Sequence, residues 1–308
     1  MLELVRNPRL PPLAWTAQLD VEARRLHAVV GRWVDAGADW FFEGAWNGPF
    51  DEAGFADATV RAGSGARVGA RGARFLAPTH PFDRLYSVPS DRGFVVGNSL
   101  ALVLTLADTS LDPTYRLCVP DLLSVLAGAD ARHRQLPTAD GRHVRQHVCA
   151  SLDVGWDGRL TEAPAAHGDA PTDFEDLHHR YRSAVLDVCA NASAARRQHR
   201  FEPFVTISAG YDSPACAVFA RDAGAERAVT FVSARGGDDD SGVPVGRALG
   251  LDVGQRSRTE YRNRNDVPDV RHLVHGAIDD LPFAGIEDDL AGTIYVSGFW
   301  GDAAWGRE

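Results

Sequence analysis

The chain has 308 residues, 44% of them hydrophobic and 24% charged, which is typical of a folded globular protein with room for two domains and not of a disordered or fibrous one. All 32 basic residues are arginine and face 42 acidic residues, giving a net charge of −10, and an acidic surface that repels phosphate backbones makes a nucleic-acid partner unexpected. The absence of lysine excludes Schiff-base chemistry and a Walker-type phosphate loop, since both need a lysine amine.

Neither a membrane span nor an export signal is expected. The longest uncharged stretch, residues 93–107, is shorter than the roughly 20 residues that a span needs. The N-terminus contains Glu3, Arg6 and Arg9 and lacks the apolar run of a signal peptide. We therefore expect a cytoplasmic protein without a membrane partner, whose four cysteines stay reduced and mostly buried.

The first 72 residues predict a helix, an aromatic core segment and a loop. Apolar residues recur near helical spacing after Asp20, a possible N-cap, and these are Ala23, Leu26, Val30, Trp33 and Val34. Large aromatics crowd residues 40–50 and favour core packing over ligand stacking. Residues 63–72, rich in glycine and arginine, predict a flexible loop and not a dinucleotide fingerprint, because no strand precedes them and no helix follows.

The next segment, from Asp83 to Ala107, predicts two strands and a helix. A Ser-Asp-Arg-Gly turn at residues 90–93 separates the two strands, and Asn98 or Ser99 would cap the helix. A second helix is expected over residues 119–126. Residues 143–154 alternate as one strand that turns at residues 156–158, so His143 and His147 are interpreted as two exposed histidines; they would suit a metal only on a helix.

Residues 163–171, with two prolines and several small residues, are the best linker candidate. They divide the sequence into expected domains at 1–168 and 169–308. Behind the linker, Asp173 would cap an amphipathic helix, whose apolar positions are Phe174, Leu177, Tyr181, Val185 and Val188.

From Phe204 onward, strands and helices alternate. Strands are predicted over 204–207, 228–232 and 293–296, and helices over 215–223 and 243–249. Such alternation implies a parallel sheet with right-handed crossovers. Ligands of such sheets lie beyond the carboxyl ends of the strands, so chemistry is expected in the loops after Ile207, Val232 and Val296.

The first of these loops, Ser208 to Pro214, has the composition of an anion cradle. Its small residues let backbone N–H groups approach an oxyanion, its serines add hydroxyl donors, and Pro214 suits the first turn of the following helix. A helix N-terminus that faces phosphate needs no lysine. The bare pattern is common in proteins, and it fits a structural turn as well as a ligand site.

Residues 208–213, Ser-Ala-Gly-Tyr-Asp-Ser, resemble the SGGxDS pyrophosphate loop of the ATP pyrophosphatases and are most similar to the asparagine synthetase branch. Residues 297–302, Ser-Gly-Phe-Trp-Gly-Asp, resemble the second signature of that branch, and residues 240–253 resemble the helix after its second strand. Residues 83–104 and 141–158 are similar to parts of the family's amidotransferase domain.

The resemblance implies an α/β fold: a parallel-sheet ATP pyrophosphatase domain, adenine nucleotide alpha hydrolase-like, preceded by a degenerate Ntn-type αββα domain. It implies ATP-dependent adenylation of a small-molecule or peptide carboxylate, followed by attack of an amine to form an amide, with ATP and Mg²⁺ as cofactors. Asp212 and Asp302 would be the catalytic acids that hold Mg²⁺. The nucleotide-binding positions would be Ser208, Ala209, Gly210, Tyr211, Asp212, Ser213, Ser297 and Gly298.

Three departures from the family pattern refine these expectations. The chain begins Met1-Leu2 and not with the nucleophilic cysteine of the glutaminase half, so no glutaminase activity is expected, as in β-lactam synthetases and lasso-peptide cyclases. Phe299 stands where the second signature usually has an acid. The sequence stops at Glu308, so the synthetase domain is expected to be truncated and completed by a second chain.

Other interpretations remain open at this point. The chain would alternatively be a catalytically incomplete or split paralogue that binds nucleotide or a partner; a tRNA-modifying pyrophosphatase fits the acidic surface less well. Stabilisation of a helix dipole is favoured over contact with ATP or Mg²⁺ as the role of three acidic residues, Asp238, Asp239 and Asp240. Four arginines are interpreted as a run of solvent-exposed charges, in preference to a phosphate-binding site. They are Arg256, Arg258, Arg262 and Arg264.

Overall fold

The computed structural model describes residues 1–51, 53–81, 83–127, 134–164, 169–233, 239–263 and 283–298. These residues form a mixed α/β protein with three sheets, one of them all-parallel. They fall into two compact units, with the boundary in the chain between Asp169 and Ala170. Four of the nine residues of the predicted linker, 165–168, lie outside the described residues. Within the described part of the chain, no helix has the length and apolar character needed to cross a bilayer.

The first unit consists mainly of strands. In chain order they are β1 (Leu2–Arg6), β2 (Trp15–Asp20), β3 (Arg25–Val30), β4 (Asp35–Ala36), β5 (Trp40–Trp46), β6 (Arg61–Gly69), β7 (Gly72–Leu76), β8 (Leu85–Ser90), β9 (Gly93–Gly97), β10 (Gln135–Pro137), β11 (His143–His147), β12 (Ala150–Gly155) and β13 (Leu160–Pro164). Its helices are α1 (Leu100–Leu106) and α2 (Cys118–Leu123), with 3-10 turns at Gly54–Ala56 and Ser124–Ala127.

These strands form two sheets that pack face to face. The seven-stranded sheet has the order β1-β3-β2-β9-β8-β11-β10, and the six-stranded sheet has the order β13-β12-β7-β6-β5-β4. One core cluster joins Trp15 and Leu19 of the first sheet to Phe41 and Phe75 of the second, and the rings of Trp15 and Phe41 meet edge to face at 5.0 Å. Alternation along each strand supplies this shared apolar layer.

Helices cover the other face of the seven-stranded sheet. Leu100 and Val103 of α1 and Leu122 of α2 pack against Tyr86 and Val88 of β8. Among the described residues, no α-helix packs on the six-stranded sheet, whose outer side carries the aromatic cluster predicted as core. The described part of this unit thus consists of two facing sheets with a helical layer on one side.

Several local predictions for this unit are confirmed. The strands flanking the turn at residues 90–93 are β8 and β9, and Ser99 caps α1 by accepting the Leu102 amide. The helix expected over 119–126 is α2 with the 3-10 turn behind it. The turn at residues 156–158 joins β12 to β13 as an antiparallel hairpin.

The helix predicted after Asp20 is wrong, because residues 25–30 form β3 and pair with β2. Leu26, Ala28 and Val30 also alternate with period two, and all three are buried. In so short a segment, the spacing of apolar residues alone cannot distinguish the period of a helix from the period of a strand.

The flexible loop predicted at residues 63–72 is also wrong, because these residues pair within β6 and β7. At Gly63, with φ +154°, a Cβ would lie 1.9 Å from the carbonyl oxygen of Glu43 on the paired strand. The glycine is needed for close strand approach and not for flexibility.

The single strand predicted over residues 143–154 is two strands in different sheets. The chain passes from β11 to β12 through Val148 and Cys149, the latter with φ +48°. His147 is fully buried, so the interpretation of both histidines as exposed holds for His143 alone.

The second unit carries the all-parallel sheet. Its strands are β14 (Glu202–Thr206), β15 (Arg227–Phe231), β16 (Asp252–Arg256) and β17 (Thr293–Val296). Its helices are α3 (Phe174–Ala192), α4 (Asp212–Asp222), α5 (Val243–Ala248) and α6 (Glu287–Leu290), with a 3-10 turn at Glu260–Asn263. The strand order is β16-β15-β14-β17, which confirms the predicted parallel sheet and adds β16, a strand that the sequence did not indicate.

Helix α3 begins where predicted, because the Asp173 carboxylate accepts the Asp176 amide at 2.8 Å. Its predicted apolar face is only partly buried. Val188 is buried, whereas Phe174 and Tyr181 are exposed. The core of this unit lies instead between the sheet and α4, where Val205 and Ile207 pack against Ala217 and Ala220.

Candidate functional site

The strand order of the second unit reverses at β14. From β14 the chain builds β15 and β16 on one side, and then returns to place β17 on the other side of β14. Neighbouring loops diverge where the strand order reverses, and ligands of open parallel sheets bind there, beyond the carboxyl ends of the strands. The loops that follow β14 and β17 begin at Ile207 and Ser297, so both predicted signature segments start at this point.

The loop after β14 is held in a tight turn by its two serines. The Ser208 amide donates to the Ser213 hydroxyl oxygen at 2.8 Å, and the two hydroxyl oxygens lie 2.8 Å apart. The Gly210 amide donates to the Ser208 hydroxyl at 3.3 Å. These bonds fix the backbone that leads directly into α4.

Helix α4 begins at Asp212. The first amides of a helix have no intrahelical acceptor, and the helix dipole adds positive potential at this end. Pro214 has no amide hydrogen and occupies the first turn, where none is needed. The start of α4 therefore provides N–H donors and favourable potential for an anion.

The loop after β17 contacts the loop after β14 directly. A Cβ placed on Gly298 would lie 2.6 Å from the carbonyl carbon of Asp212 and 2.6 Å from the amide nitrogen of Ser213. The contact brings Ser297 and Gly298 beside the residues 208–213 predicted to bind nucleotide. Within that loop, the Tyr211 side chain is 94% exposed. The remaining predicted site residue, Asp302, lies outside the described residues.

Asp240 also contacts this loop. The Ala209 amide donates to the Asp240 backbone oxygen at 3.1 Å and faces its carboxylate Oδ1 at 3.3 Å. The cap of α5 is Gly242, and the first turn of that helix contains no acidic residue. The contacts of Asp240 are thus to the candidate site and not to the helix whose dipole it was expected to stabilise; Asp238 lies outside the described residues.

Three of the four arginines interpreted as a solvent-exposed run of charges make specific contacts, and one of these is Arg262, whose guanidinium lies 5.9 Å from the ring centre of Tyr261. Arg256 donates to both carboxylate oxygens of Asp289, at 2.9 and 3.0 Å. The Arg258 guanidinium lies 5.0 Å from the ring centre of Phe231 and donates to the Ser233 carbonyl. Arg258 therefore places a positive charge at the carboxyl end of β15, while Arg264 lies outside the described residues.

The first unit contains a Ser-His-Glu chain of hydrogen-bonded side chains that no sequence pattern indicated. His147 Nε2 lies 2.8 Å from the Ser87 hydroxyl, and its Nδ1 lies 2.7 Å from the Glu162 carboxylate. Ser87 and His147 are 60 residues apart, and Glu162 belongs to the other sheet. No local pattern of sequence contains such an arrangement.

These distances match a catalytic triad, but the burial does not. The serine of a hydrolase must meet the substrate, with the carboxylate behind the histidine. Here the Glu162 side chain is 26% exposed, whereas Ser87 and His147 are buried. Ser87 also lies inside a strand paired on both sides, so its neighbouring amides cannot form an oxyanion hole. The chain of side chains is a buried link between the two sheets.

Replacing His147 with alanine is expected to destabilise the first unit by about 3 kcal/mol, because it leaves a cavity and an unsatisfied buried hydroxyl. Urea unfolding monitored by tryptophan fluorescence measures this. His143→Ala, an exposed change on the same strand, should shift stability by less than about 0.5 kcal/mol. Equal effects of the two changes would contradict the structural link.

Among the described ranges, His, Cys, Asp and Glu side chains form no group of three or more that is arranged to hold a metal ion. No protein-family model matches this chain, and no curated protein matches it.

Proposed function

We propose that the chain is an ATP-dependent carbon–nitrogen ligase related to the asparagine synthetases, which adenylates a carboxylate in the cytoplasm so that an amine can form an amide. Its second unit would be an ATP pyrophosphatase domain, and its first a degenerate Ntn-type domain. The observation that carries the proposal is the contact of Gly298 with the Asp212–Ser213 peptide. It joins the two signature loops on adjacent parallel strands, where the strand order reverses.

The residues of this loop suit the stabilisation of a leaving pyrophosphate. Charge accumulates on that group as the acyl-adenylate forms, and donors already in place stabilise it without reorganisation. The amides at the start of α4 would supply these donors, together with whichever of the Ser208 and Ser213 hydroxyls does not use its hydrogen in the bond between the two. Oxygen atoms of Asp212 and Asp240 border the same loop, and oxygen ligands suit Mg²⁺. When bound, Mg²⁺ would neutralise phosphate charge beside these carboxylates.

The thiols support an enzyme without glutaminase activity. Burial raises the pKa of Cys118 and of Cys216, and it raises the pKa of Cys189 to about 11. Only the thiolate is a good nucleophile, so these three cysteines are poorly suited to attack glutamine. Under the proposal the amine is free ammonia or an amine substrate, and glutamine should not replace it.

Calorimetry with Mg-ATP tests the proposal. Asp212→Ala is expected to weaken binding at least about tenfold, because it removes a charged metal ligand worth more than about 1.4 kcal/mol. Glu226→Ala, an exposed acid of the same unit, is the matched control and should bind as the wild type does. Equal affinities in all three proteins would overturn the assignment of the loop. Pyrophosphate release with a panel of carboxylates then identifies the substrate class.

One observation favours a second candidate function, a nucleotide- or partner-binding protein that completes no reaction alone. The Ala209 amide of the loop is already engaged by Asp240, so this donor is not open to an anionic ligand. Mg-ATP binding without pyrophosphate release from any carboxylate, followed by release when a partner chain is added, would favour this candidate over the complete ligase.

A further inference from the structure

The inference concerns how Asp240 affects the loop at residues 208–213, and it rests on the proposed function of that loop. An amide of this loop points at a carboxylate of the same chain. The Ala209 N–H has Asp240 Oδ1 at 3.3 Å as well as the Asp240 carbonyl oxygen at 3.1 Å. A carboxylate oxygen thus lies beside a donor that an anionic ligand of the loop would use.

The segment that carries Asp240 is anchored against the loop. Ser241 forms an isolated antiparallel bridge with Ser208. The Gly242 amide donates to the buried hydroxyl of Thr230 at 2.9 Å, and a Cβ on Gly242 would lie 2.6 Å from the carbonyl carbon of Ile207. Because backbone contacts on both sides fix residues 241 and 242, Asp240 is held beside the loop.

The charges around this amide are unfavourable for a bare phosphate. Asp212 belongs to the loop, and Asp239 precedes Asp240. At the carboxyl ends of β15 and β16, Arg256 is paired with Asp289 and Arg258 donates to the Ser233 carbonyl. A phosphate group that approached the Ala209 amide would meet the Asp240 carboxylate at short range, and like charges at such distances repel each other even at a solvent-exposed surface.

We propose that Asp240 makes the loop select the Mg²⁺ complex of a pyrophosphate group over the metal-free anion. Without a divalent cation, the carboxylate repels the ligand and keeps its contact with the Ala209 amide. With the cation present, the same carboxylate faces a ligand of reduced negative charge. Asp240 is therefore a specificity-determining residue of the proposed site, and it couples pyrophosphate binding to metal binding.

Binding of inorganic pyrophosphate to the full chain tests this coupling. Titration calorimetry is carried out with EDTA and again with excess MgCl₂. The variant is Asp240→Asn, because an asparagine oxygen still accepts from the Ala209 amide while the negative charge is lost. The matched control is Asp252→Asn, which removes an exposed charge at the first residue of β16, at the opposite end of the strands.

The measured quantity is the ratio of the two dissociation constants, without and with Mg²⁺. Asp240→Asn is expected to reduce this ratio about tenfold, mainly by tightening metal-free binding, within the range of ordinary couplings between two ligands. The control should keep the wild-type ratio. Because coupling is reciprocal, the gain in Mg²⁺ affinity caused by pyrophosphate should fall by the same factor in Asp240→Asn.

The outcomes separate this inference from the proposed function. If the wild type binds pyrophosphate and the ratio is the same in Asp240→Asn, selection by Asp240 is overturned while the loop assignment stands. If pyrophosphate binds to none of the three proteins, with or without Mg²⁺, the loop assignment is overturned, and this inference with it.

Discussion

Replacing Glu43 with glutamine is expected to abolish most of the loss of stability that the first unit undergoes between pH 5 and pH 9. Glu43 lies on β5, and its Oε1 accepts the Ser64 amide and the Ser64 hydroxyl, both at 2.8 Å. Burial raises the pKa of Glu43 from 4.5 to about 8. The folded protein therefore keeps this proton over a range in which the unfolded chain releases it.

The sign of the effect follows from this difference. Below pH 4.5 both states hold the proton, and the stabilisation is complete; as the pH rises toward the folded pKa of about 8, it is lost. At about 1.36 kcal/mol per pKa unit, the loss is at most about 5 kcal/mol. Glutamine keeps an acceptor at Oε1 and does not titrate, so its unfolding free energy should stay nearly level over this window.

The measurement is urea unfolding at one-unit intervals from pH 5 to pH 9. Glu22→Gln, an exposed change in the same unit, is the control and should follow the pH dependence of the wild type. If Glu43→Gln ran parallel to the wild type, with a constant offset at every pH, Glu43 would be ionised in the folded protein throughout. Its burial would then require a compensating charge.

Most strands of the second unit could be predicted from the sequence because a local run of apolar residues marks each of them. Phe204, Val205 and Ile207 form a short apolar run and are buried at the centre of the sheet, as expected for a parallel strand covered on both faces. Strand β16 was missed because Asp-Val-Gly-Gln-Arg contains one large apolar residue. It lies at the edge of the sheet. An edge strand is paired with a neighbour on one side only and need not be a continuous apolar run.

The first unit was harder to predict because its decisive contacts are distant in sequence. The strand pairing β2 with β9 joins residues about eighty positions apart, and the Glu43 network draws on Ser64 and Asn98. Short alternating segments with interspersed glycines also fit a helix or a loop until their partners are known. The aromatic core was predictable, since large rings bury most of their surface in almost any fold.

The candidate site was predictable in composition but not in arrangement. Residues 208–213 were identified from their small and hydroxylated side chains, and Ser297 and Gly298 from the second signature. That the two segments touch depends on β17 lying next to β14, which no local pattern encodes. The contact of Asp240 with Ala209 likewise depends on the order of the strands, and local sequence favoured stabilisation of a helix dipole over contact with ATP or Mg²⁺.

Gly298→Ala is expected to reduce Mg-ATP affinity by about 10- to 100-fold, because the new methyl group would separate the two loops. The atoms it would meet at 2.6 Å, Asp212 C and Ser213 N, belong to the backbone and cannot rotate away. Overpacking of this kind costs about 1–3 kcal/mol, and each 1.4 kcal/mol is about tenfold in affinity. Calorimetry with Mg-ATP measures the change.

The control must separate loss of the site from loss of the fold. Gly254→Ala adds the same methyl group to β16 of the same sheet, where its nearest neighbour is the flexible end of Arg256 at 3.4 Å. It should leave both Mg-ATP affinity and urea stability near wild-type values. Circular dichroism should show that Gly298→Ala keeps its secondary structure. If Gly298→Ala folds and still binds Mg-ATP as tightly as Gly254→Ala does, the close approach of the two loops is not what forms the nucleotide site, and the nucleotide must bind elsewhere along the carboxyl edge of the sheet.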